Sequence, residues 1–293
     1  MRKLFVCIAL GLTTLTGNAA SPLWMRDVQI SPDGTEIAFC YKGDIYKVSA
    51  GGGTAIQLTT QPSYECTPIW SPDSKQIAFA SDRNGNFDIF VMPATGGTAQ
   101  RLTTHSSSEL PSAFTPDGKY ILFSASIQDP SQSALFPTTA MTELYKVPVN
   151  GGRTEQVLGT PAEAVCYAPS GEFFLYQDRK GFEDEWRKHH TSSITRDIWL
   201  YDTKTGKHTN LTNHAGEDRN PVLSPDGKSV YLLSERKGSF NVYSFPLDNA
   251  QDLKAVTSFK THPVRFLSMS HGGTLCYAYD GEIYTQKDNA TPQ

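Results

Sequence analysis

Cysteine is scarce in this sequence, and its spacing follows no metal-binding pattern. Five of the 293 residues are cysteines, and none stands in a C-x-x-C arrangement of the kind that holds zinc. Cys7 lies in an N-terminal apolar run, whereas Cys40, Cys66, Cys166 and Cys276 fall within or at the start of predicted strands. Small buried thiols are common at such positions. We therefore expect free thiols, with a disulfide as the alternative in an oxidising compartment.

An excess of basic residues is also absent, as is any long apolar run beyond residue 15. The 26 Lys and Arg residues are outnumbered by 30 Asp and Glu residues, which gives a formal net charge of -4. Proteins that bind DNA or RNA usually present a basic surface to the phosphates. A transmembrane helix needs roughly 20 apolar residues. The composition thus argues against a nucleic-acid partner and against a membrane span.

Catalytic motifs are missing as well. The sequence contains no G-x-S-x-G turn, no glycine-rich phosphate loop, and neither an H-E-x-x-H nor an H-x-x-E-H zinc motif. Its seven histidines are scattered, and no cluster of Ser, His and acid emerges from the pattern. We expect no catalytic residue, no metal and no cofactor in this chain.

The N-terminus has the pattern of an export signal. Arg2 and Lys3 precede an apolar run over residues 4–15, and small residues follow at positions 17–20. This order is that of a cleavable secretory signal, and the run is too short to span a bilayer. We predict a signal peptide at residues 1–20 and a periplasmic or secreted domain at residues 21–293. A buried N-terminal strand is the alternative.

Six repeats fill the rest of the chain. Each contains a turn signal such as Ser-Pro-Asp-Gly, followed by an apolar strand and then by a strand that begins like Asp88-Ile89-Phe90. The strands hold aromatic and β-branched residues that suit a pleated, half-buried surface, and the segments between them hold turn formers. The turn signals begin at Ser31, Ser71, Thr115, Ala168, Ser224 and Ser270.

Four short strands in a repeat of about 40 to 50 residues are typical of a propeller blade. Such a small sheet buries its faces only against neighbouring sheets, so the repeats must stack around an axis. No stretch has a helical period. The sequence therefore predicts an all-β fold, a six-bladed β-propeller in which the first strand of each blade, strand a, lies innermost.

The last blade lacks its outer strand. Blades 1 to 5 each end in a fourth strand, d, whereas only the polar residues 286–293 follow strand c of blade 6. We expect an unpaired sheet edge at residues 282–285, which a complete protein would normally cover. We also expect a truncated chain, whose natural continuation supplies strand d and then catalytic domains.

Strand order separates the two ends of the propeller. In an antiparallel blade, the a–b and c–d turns lie at one end, and the b–c and d–a connections lie at the other. The second end receives the two longest connections, residues 126–142 in blade 3 and 180–195 in blade 4. Variable loops on a regular scaffold are where binding usually occurs. We assign function to the b–c/d–a end.

Carboxylates recur at this end, just before the predicted strand a of four blades. On the innermost strand they would approach the central tunnel, where a partial acidic ring is able to hold a cation or a peptide amino group. The alternative is that each carboxylate caps backbone amides of the adjacent blade. The four residues are Glu65, Glu109, Glu163 and Asp218.

The b–c hairpins of blades 2, 4 and 5 repeat a pair formed by an acid and an arginine. The arginines are Arg83, Arg179 and Arg236. Such a pair either stiffens its turn or contacts a ligand, and the sequence leaves both roles open.

The insertion in blade 4 combines aromatic, basic and acidic residues. Trp186, Arg187, His189 and His190 stand directly after an acidic run. Adjacent histidines suggest a metal, but the zinc motifs are absent. An aromatic-anchored, charged loop more often recognises a partner, so we assign these four residues to the binding of a peptide or protein.

The repeat resembles that of TolB proteins, of the prolyl oligopeptidase and dipeptidyl peptidase family, and of the tricorn protease. The nearest resemblance is to the N-terminal six-bladed propeller of secreted, tricorn-like bacterial serine peptidases of the S41 class. It covers nearly all of the mature chain. The insertion is more specific than the repeat itself. The residues that carry the resemblance are 38–46, 81–92, 180–199 and 216–221.

This resemblance implies a role without catalysis in the chain itself. In that family a second propeller, a PDZ domain and a peptidase core follow, and the catalytic Ser, His and Glu lie in the core. The propellers are understood to filter peptides at a closed chamber. The implied partners are peptides, protein partners and the other domains of a parent peptidase, with a homo-oligomer formed through that enzyme. A free-standing periplasmic interaction protein of the TolB kind is the alternative.

Overall fold

The structure, a computed structural model, describes residues 24–127, 141–181, 186–189, 192–287 and 290–293. Within these ranges 23 strands form six antiparallel sheets, and no helix occurs. The sheets follow one another along the chain, and inner strands of successive blades pack side by side. The predicted six-bladed β-propeller is confirmed.

Strand a of each blade lies next to the axis of the ring. It pairs with strand b of its own blade and packs against strand a of both adjacent blades. The six inner strands are β1 (Arg26–Ile30), β5 (Glu65–Trp70), β9 (Glu109–Phe114), β13 (Glu163–Tyr167), β17 (Asp218–Leu223) and β21 (Arg265–Met269).

Strand b is the most buried strand, as expected for an apolar run that is paired on both sides. The core lies between blades: Ile89 of blade 2, for example, packs in one cluster with Ile121 and Phe123 of blade 3. The six b strands are β2 (Glu36–Tyr41), β6 (Gln76–Ser81), β10 (Tyr120–Ala125), β14 (Phe173–Gln177), β18 (Ser229–Ser234) and β22 (Thr274–Tyr279).

Strand c carries aromatic residues that stack on aromatic residues of strand b. The ring centroids of Phe79 and Phe90 are 5.9 Å apart, and those of Tyr277 and Tyr284 are 6.2 Å apart. Such cross-strand pairs stabilise a sheet. The six c strands are β3 (Asp44–Ser49), β7 (Asp88–Pro93), β11 (Glu143–Pro148), β15 (Ile198–Asp202), β19 (Asn241–Pro246) and β23 (Glu282–Lys287).

Strand d is short. In four blades the side chain of a threonine that follows strand d accepts a hydrogen bond from a backbone N–H of strand c. The backbone N–H of Ile45 donates to Thr59 Oγ1 at 2.9 Å, and that of Ile89 donates to Thr103 Oγ1 at 2.9 Å. Blades 4 and 5 repeat this bond. The five d strands are β4 (Ile56–Gln57), β8 (Gln100–Arg101), β12 (Glu155–Leu158), β16 (His208–Asn210) and β20 (Lys254–Ala255).

Blade 6 has three strands in the described part of the chain, so the expected lack of an outer strand is confirmed. The expectation of a wholly unpaired edge is wrong in one respect. Thr285 and Gln293 exchange two backbone hydrogen bonds of 2.9 Å each, N–H to C=O in both directions. The C-terminal residue thus occupies the first position of a d strand.

Blade 6 packs on blade 1 and closes the ring. The backbone N–H of Ile30 donates to Ser268 Oγ at 3.1 Å, and that of His271 donates to the carbonyl of Pro32 at 2.7 Å. Near the b–c end, the N–H of Trp24 donates to the carbonyl of Gly281 at 3.1 Å. Side-to-side packing, and not exchange of a strand between the first and last blades, therefore joins the ends of the described propeller.

The cysteines that the sequence places in strands are all free thiols. Burial raises the pKa of Cys66 to about 12 and that of Cys166 to about 11. The predicted signal peptide lies outside the described residues. Among the residues that are described, there is no helix of the length and apolar character that a membrane crossing requires.

Candidate functional site

A cavity of about 640 Å³ lies on the propeller axis at the b–c/d–a end. Its wall includes residues near the start of all six inner strands, such as Asp27 in β1 and Asn220 in β17. The b–c and d–a connections surround these strand starts. The geometry therefore puts this cavity at the end of the propeller to which the strand order assigned function.

A repeated β-bulge shapes the cavity wall. In all six inner strands the pairing register shifts, and in five of them one non-glycine residue within the shift has a left-handed backbone with φ between 48° and 58°. The corresponding residue of blade 3 is Pro111, whose ring excludes positive φ. All six line the cavity. The five left-handed residues are Asp27, Thr67, Ala164, Asn220 and Phe266.

These bulges are the part of the site that sequence reasoning missed. A non-glycine residue in this conformation costs on the order of 1 kcal/mol, and a bulge re-aims the side chains around it. The usual signal, a glycine, is absent. Each of the six residues nevertheless stands four positions before its turn signal, so the common offset was the available clue.

The two sides of the cavity differ in chemistry. Arg219 and Arg265, from blades 5 and 6, lie on one side together with the aromatic rings of Trp186 and Phe266. The blade 3 side is rich in hydroxyl groups, which both donate and accept hydrogen bonds. Its serines are Ser106, Ser107, Ser108, Ser112, Ser124 and Ser126.

The strand-a acids and the hairpin arginines, which the sequence suggested separately, form ion pairs with each other. In blades 2, 4 and 5 the acid is the first residue of strand a, and the arginine of the b–c connection folds back onto it. The N–O distances are 3.1 Å for Arg83–Glu65, 2.9 Å for Arg179–Glu163 and 2.6 Å for Arg236–Asp218.

An acidic ring around the tunnel is not what these residues form. Glu65, Glu109 and Asp218 are almost completely buried and do not line the cavity. Of the four predicted carboxylates only Glu163 lines it, beside its partner Arg179. The physical reason is the bulge, which extends strand a backwards, so that the acid starts the strand and turns toward its own hairpin. Nor, among the described residues, do the buried acids cap backbone amides of the adjacent blade, which was the alternative: Glu65 accepts from Ser81 and Arg83, and Asp218 accepts from Arg236, all of them side chains of the same blade.

Glu109 differs from the other three because the b–c connection of blade 3 contains no arginine. The pKa of Glu109 is raised to about 7, chiefly by burial and also by the carboxylate of Asp88, while the hydrogen bond from Thr103 and the charge of Arg101 oppose the shift. A carboxyl group with this pKa is partly protonated near neutral pH.

The blade 4 insertion is anchored by a buried arginine. Arg187 is 4% exposed, and its guanidinium contacts the carboxylates of Glu217, at 2.5 Å, and Glu235. Arg196 Nη1 also lies 2.8 Å from Glu217 Oε1. Arg187 further lies over the ring of Phe240, with its Cζ 5.2 Å from the centroid. The structure therefore places Arg187 in an internal ion-pair network and not on a binding surface.

Trp186 lies at the cavity mouth and joins blade 4 to blades 1 and 6. The guanidinium carbons of Arg26 and Arg265 lie 4.5 Å and 5.0 Å from the indole centroid, and Phe266 packs edge-on at 6.0 Å. Arg265 Nη2 donates to the carbonyl of Trp186 at 3.0 Å. In the described part of the insertion, Trp186 thus connects blade 4 with blades 1 and 6.

The histidine pair of the insertion is only partly described. His189 is exposed, and His190 lies outside the described residues. In the ranges that the structure describes, no group of three or more His, Cys, Asp and Glu side chains is arranged to hold a metal ion.

Together these features define, in the described residues, a six-bladed propeller with turn-marked repeats and an axial cavity of mixed polar and apolar lining, with Trp186 of the insertion at its mouth. A model of the family described as the tricorn protease N-terminal beta propeller domain matches residues 22–292. That match covers almost the whole chain. The chain belongs to this family.

Individual relatives match this chain only over part of its length or at low sequence identity. The chain is 31% identical over 146 residues to an uncharacterised protein of Agrobacterium fabrum, Atu1656, which covers 48% of this chain and 44% of the relative. The fold of the present chain is similar to that of the tricorn protease, with a TM-score of 0.75 and 22% identity. The match covers 92% of this chain and 25% of the tricorn protease chain. TolB from Acinetobacter baumannii gives a TM-score of 0.68, 20% identity and coverage of 88% and 62%. At these identities the solved structures show the fold alone.

Proposed function

We propose that this chain is a non-catalytic propeller that admits and docks peptide segments for an exported, tricorn-like serine peptidase. The axial cavity carries the proposal, because its wall offers hydroxyl, amide, guanidinium and carboxylate groups around one axis. An extended peptide has a hydrogen-bond donor and an acceptor at nearly every residue, and these need partners where water is displaced. A cavity of about 640 Å³ suits a peptide segment and is too small for a folded domain.

Family membership supports the link to proteolysis, since the matching model is named for the N-terminal domain of a protease. Under this proposal the catalytic Ser, His and Glu belong to other domains of a parent enzyme. Export, docking to those domains and a homo-oligomer formed through them are parts of the same proposal. They account for a chain whose sequence carries binding features and no catalytic motif.

Within the cavity, Glu163 and Arg179 present both signs of charge beside the mouth. We assign them the orientation of a peptide through charge-assisted hydrogen bonds. Trp186 is 44% exposed and adds an aromatic contact surface at the same place. In this scheme the pairs Arg83–Glu65 and Arg236–Asp218 hold the b–c connections in position.

A substitution that fills the cavity tests the proposal. Ser108 lines the cavity and is exposed, so Ser108→Trp adds bulk without disturbing the core. We expect it to weaken binding of an unstructured peptide of about eight residues at least tenfold, a change of roughly 1.4 kcal/mol, as measured by isothermal titration calorimetry. Ser170→Trp, at the opposite end of the propeller in the a–b turn of blade 4, is the matched control. Equal peptide affinity in the two variants would contradict the proposal.

A second candidate is a free-standing, periplasmic interaction module, which the fold similarity to TolB favours. The two candidates differ in what the reading frame encodes beyond Gln293. A serine-peptidase core in that frame supports the peptidase proposal, whereas a stop codon directly after Gln293 with a stable monomeric product supports the interaction module.

A further inference from the structure

A second cavity, which we name the side cavity, lies next to the axial one. It has a volume of about 580 Å³ and lies between the N-terminal segment, blade 6 and the blade 4 insertion. Trp186, Arg265 and Phe266 line both cavities and so form the wall between them. The rest of the side cavity wall has a chemistry of its own.

Cations converge on this cavity. Arg26, Lys188 and Arg265 line it and carry three permanent positive charges. The carboxylate in the described wall is that of Asp280, whose Oδ1 lies 3.1 Å from Nε2 of His262. The described wall thus carries more positive than negative charges, whereas the whole chain has a negative net charge. A low-dielectric pocket with an excess of one charge favours a ligand of the other.

Aromatic and apolar surfaces complete the wall. Trp24 is 69% exposed and Trp186 is 44% exposed, and Phe266, Tyr279 and Pro263 also line the cavity. Exposed indole rings bury a large apolar area when a ligand covers them. The stacking of Arg26 and Arg265 near the indole of Trp186 also fixes two guanidinium groups beside this apolar surface.

We propose that the side cavity binds a carboxylate that is attached to an aromatic or branched apolar group. Arg26 and Lys188 receive the carboxylate, because charge-assisted hydrogen bonds to a guanidinium or ammonium group bind it strongly. Arg265 Nη2 already donates to the carbonyls of Trp186 and Arg187 and adds its positive charge, while Trp24 and Trp186 cover the apolar part. The ligand is either a free aromatic acid or an acidic side chain next to an aromatic one in a peptide. The proposal does not rest on peptide binding in the axial cavity, although Trp186, Arg265 and Phe266 line both cavities.

The test compares probes that differ only in charge or in the ring. Indole-3-acetate is titrated against indole-3-acetamide and acetate, and the peptide N-acetyl-Glu-Trp-amide against N-acetyl-Gln-Trp-amide, by calorimetry and tryptophan fluorescence. We expect each charged aromatic probe to bind at least tenfold more tightly than its neutral partner, with no measurable binding of acetate alone. Whichever of the two charged probes binds more tightly identifies the source of the ligand.

Variants then locate the binding site. Arg26→Gln and Lys188→Gln remove one charge each and should each weaken the charged probe about three- to tenfold. The matched controls are Arg153→Gln and Lys119→Gln, exposed residues at the opposite end of the propeller, and they should leave the affinity unchanged. Ser108→Trp should also leave the affinity for indole-3-acetate unchanged, which separates this site from the axial cavity. Equal affinity for charged and neutral probes, or full affinity in the double variant of Arg26 and Lys188, would overturn the proposal.

One further variant addresses the carboxylates that precede Trp186 in the sequence. Glu183, Asp184 and Glu185 are replaced together by their amides. If the side cavity takes an external anion, the triple variant binds the charged probe as tightly as the unchanged protein or more tightly. Weaker binding would contradict the proposed role of the basic residues.

Discussion

At the scale of single residues, several carboxylates at the b–c end are buried inside the fold and paired with arginines. Removing a carboxylate from water is costly, and an ion pair offsets that cost only when its geometry is good. Blades 2, 4 and 5 supply an arginine for this purpose, and Arg187 does the same for Glu217 and Glu235. The binding role that the sequence suggested for Arg187 gives way to a structural one, because its carboxylate partners are buried.

Glu109 provides a prediction at this scale, because its pKa near 7 links folding to pH. The folded state holds the proton more tightly than the unfolded state, whose pKa is close to the ordinary value for Glu. The stabilisation that protonated Glu109 gives to the folded state is therefore complete below about pH 4.5 and is lost as the pH rises through 7. Between pH 5 and pH 8 the unchanged protein should lose on the order of 1–3 kcal/mol of unfolding free energy because Glu109 ionises. We expect this loss to be absent in the Glu109→Gln variant.

Urea denaturation at a series of pH values measures this effect. The control is Glu155→Gln, an exposed glutamate at the start of β12. The difference in unfolding free energy between the Glu109→Gln variant and the unchanged protein should grow from pH 5 to pH 8, whereas the control difference should stay flat. A constant difference for Glu109→Gln would show that its carboxyl group titrates normally in the folded state.

At the scale of strands, the threonine after strand d forms the same hydrogen bond to strand c in four blades and so stabilises the outer edge of the sheet. Thr59 Oγ1 accepts the N–H of Ile45 and also donates to Asp44 Oδ1 at 3.1 Å. In blade 5, Thr257 Oγ1 donates to Asn241 Oδ1 at 2.9 Å. The residue that begins strand c and the threonine after strand d thus act together, which explains why both recur in the repeats.

This arrangement predicts the effect of deleting one hydroxyl group. Thr103→Val keeps the shape of the side chain but leaves the N–H of Ile89 without its acceptor at a buried site. We expect a loss of unfolding free energy of about 1–3 kcal/mol, measured by urea denaturation. The next residue, Thr104, is exposed, so Thr104→Val should change stability by less than about 0.5 kcal/mol. Equal effects of the two changes would refute a role for the hydroxyl group.

The sequence predicted the strands well and the site only in part, for physical reasons. Turn signals and alternating apolar residues are local features, and they predicted every blade, while the strand order predicted which end receives the long connections. Whether Glu65 faces the tunnel or its own hairpin depends on a bulge between Cys66 and Ile69. The sequence has no glycine there, which is the residue that usually indicates a bulge. The contacts of Trp186 with Arg26 and Arg265 join residues that are far apart in the chain, and repeats alone do not predict such pairs.

At the scale of the whole molecule, the ring is closed by packing between blade 1 and blade 6, and blade 6 is the thinnest part of it. Its outer edge consists of β23, to which Gln293 adds one pair at Thr285. In blades 1, 2 and 4 an isoleucine at the equivalent of Ile283 donates its N–H to a threonine after strand d. In the described residues of blade 6, no threonine occupies that position.

Hydrogen exchange should reveal this difference between blades that are otherwise alike. Amide protection follows the free energy of local opening, and an outer strand must leave before the N–H of Ile45 or Ile89 meets water. The N–H of Ile283 has no such strand in the described structure, so we expect it to exchange at least about 100-fold faster than those of Ile45 and Ile89, by NMR at neutral pH. The N–H of Thr285, which donates to Gln293, should exchange at an intermediate rate and serves as the internal control. Protection of Ile283 equal to that of Ile45 would mean that another segment already covers the edge of blade 6, and an added partner would then have nothing to pair with there.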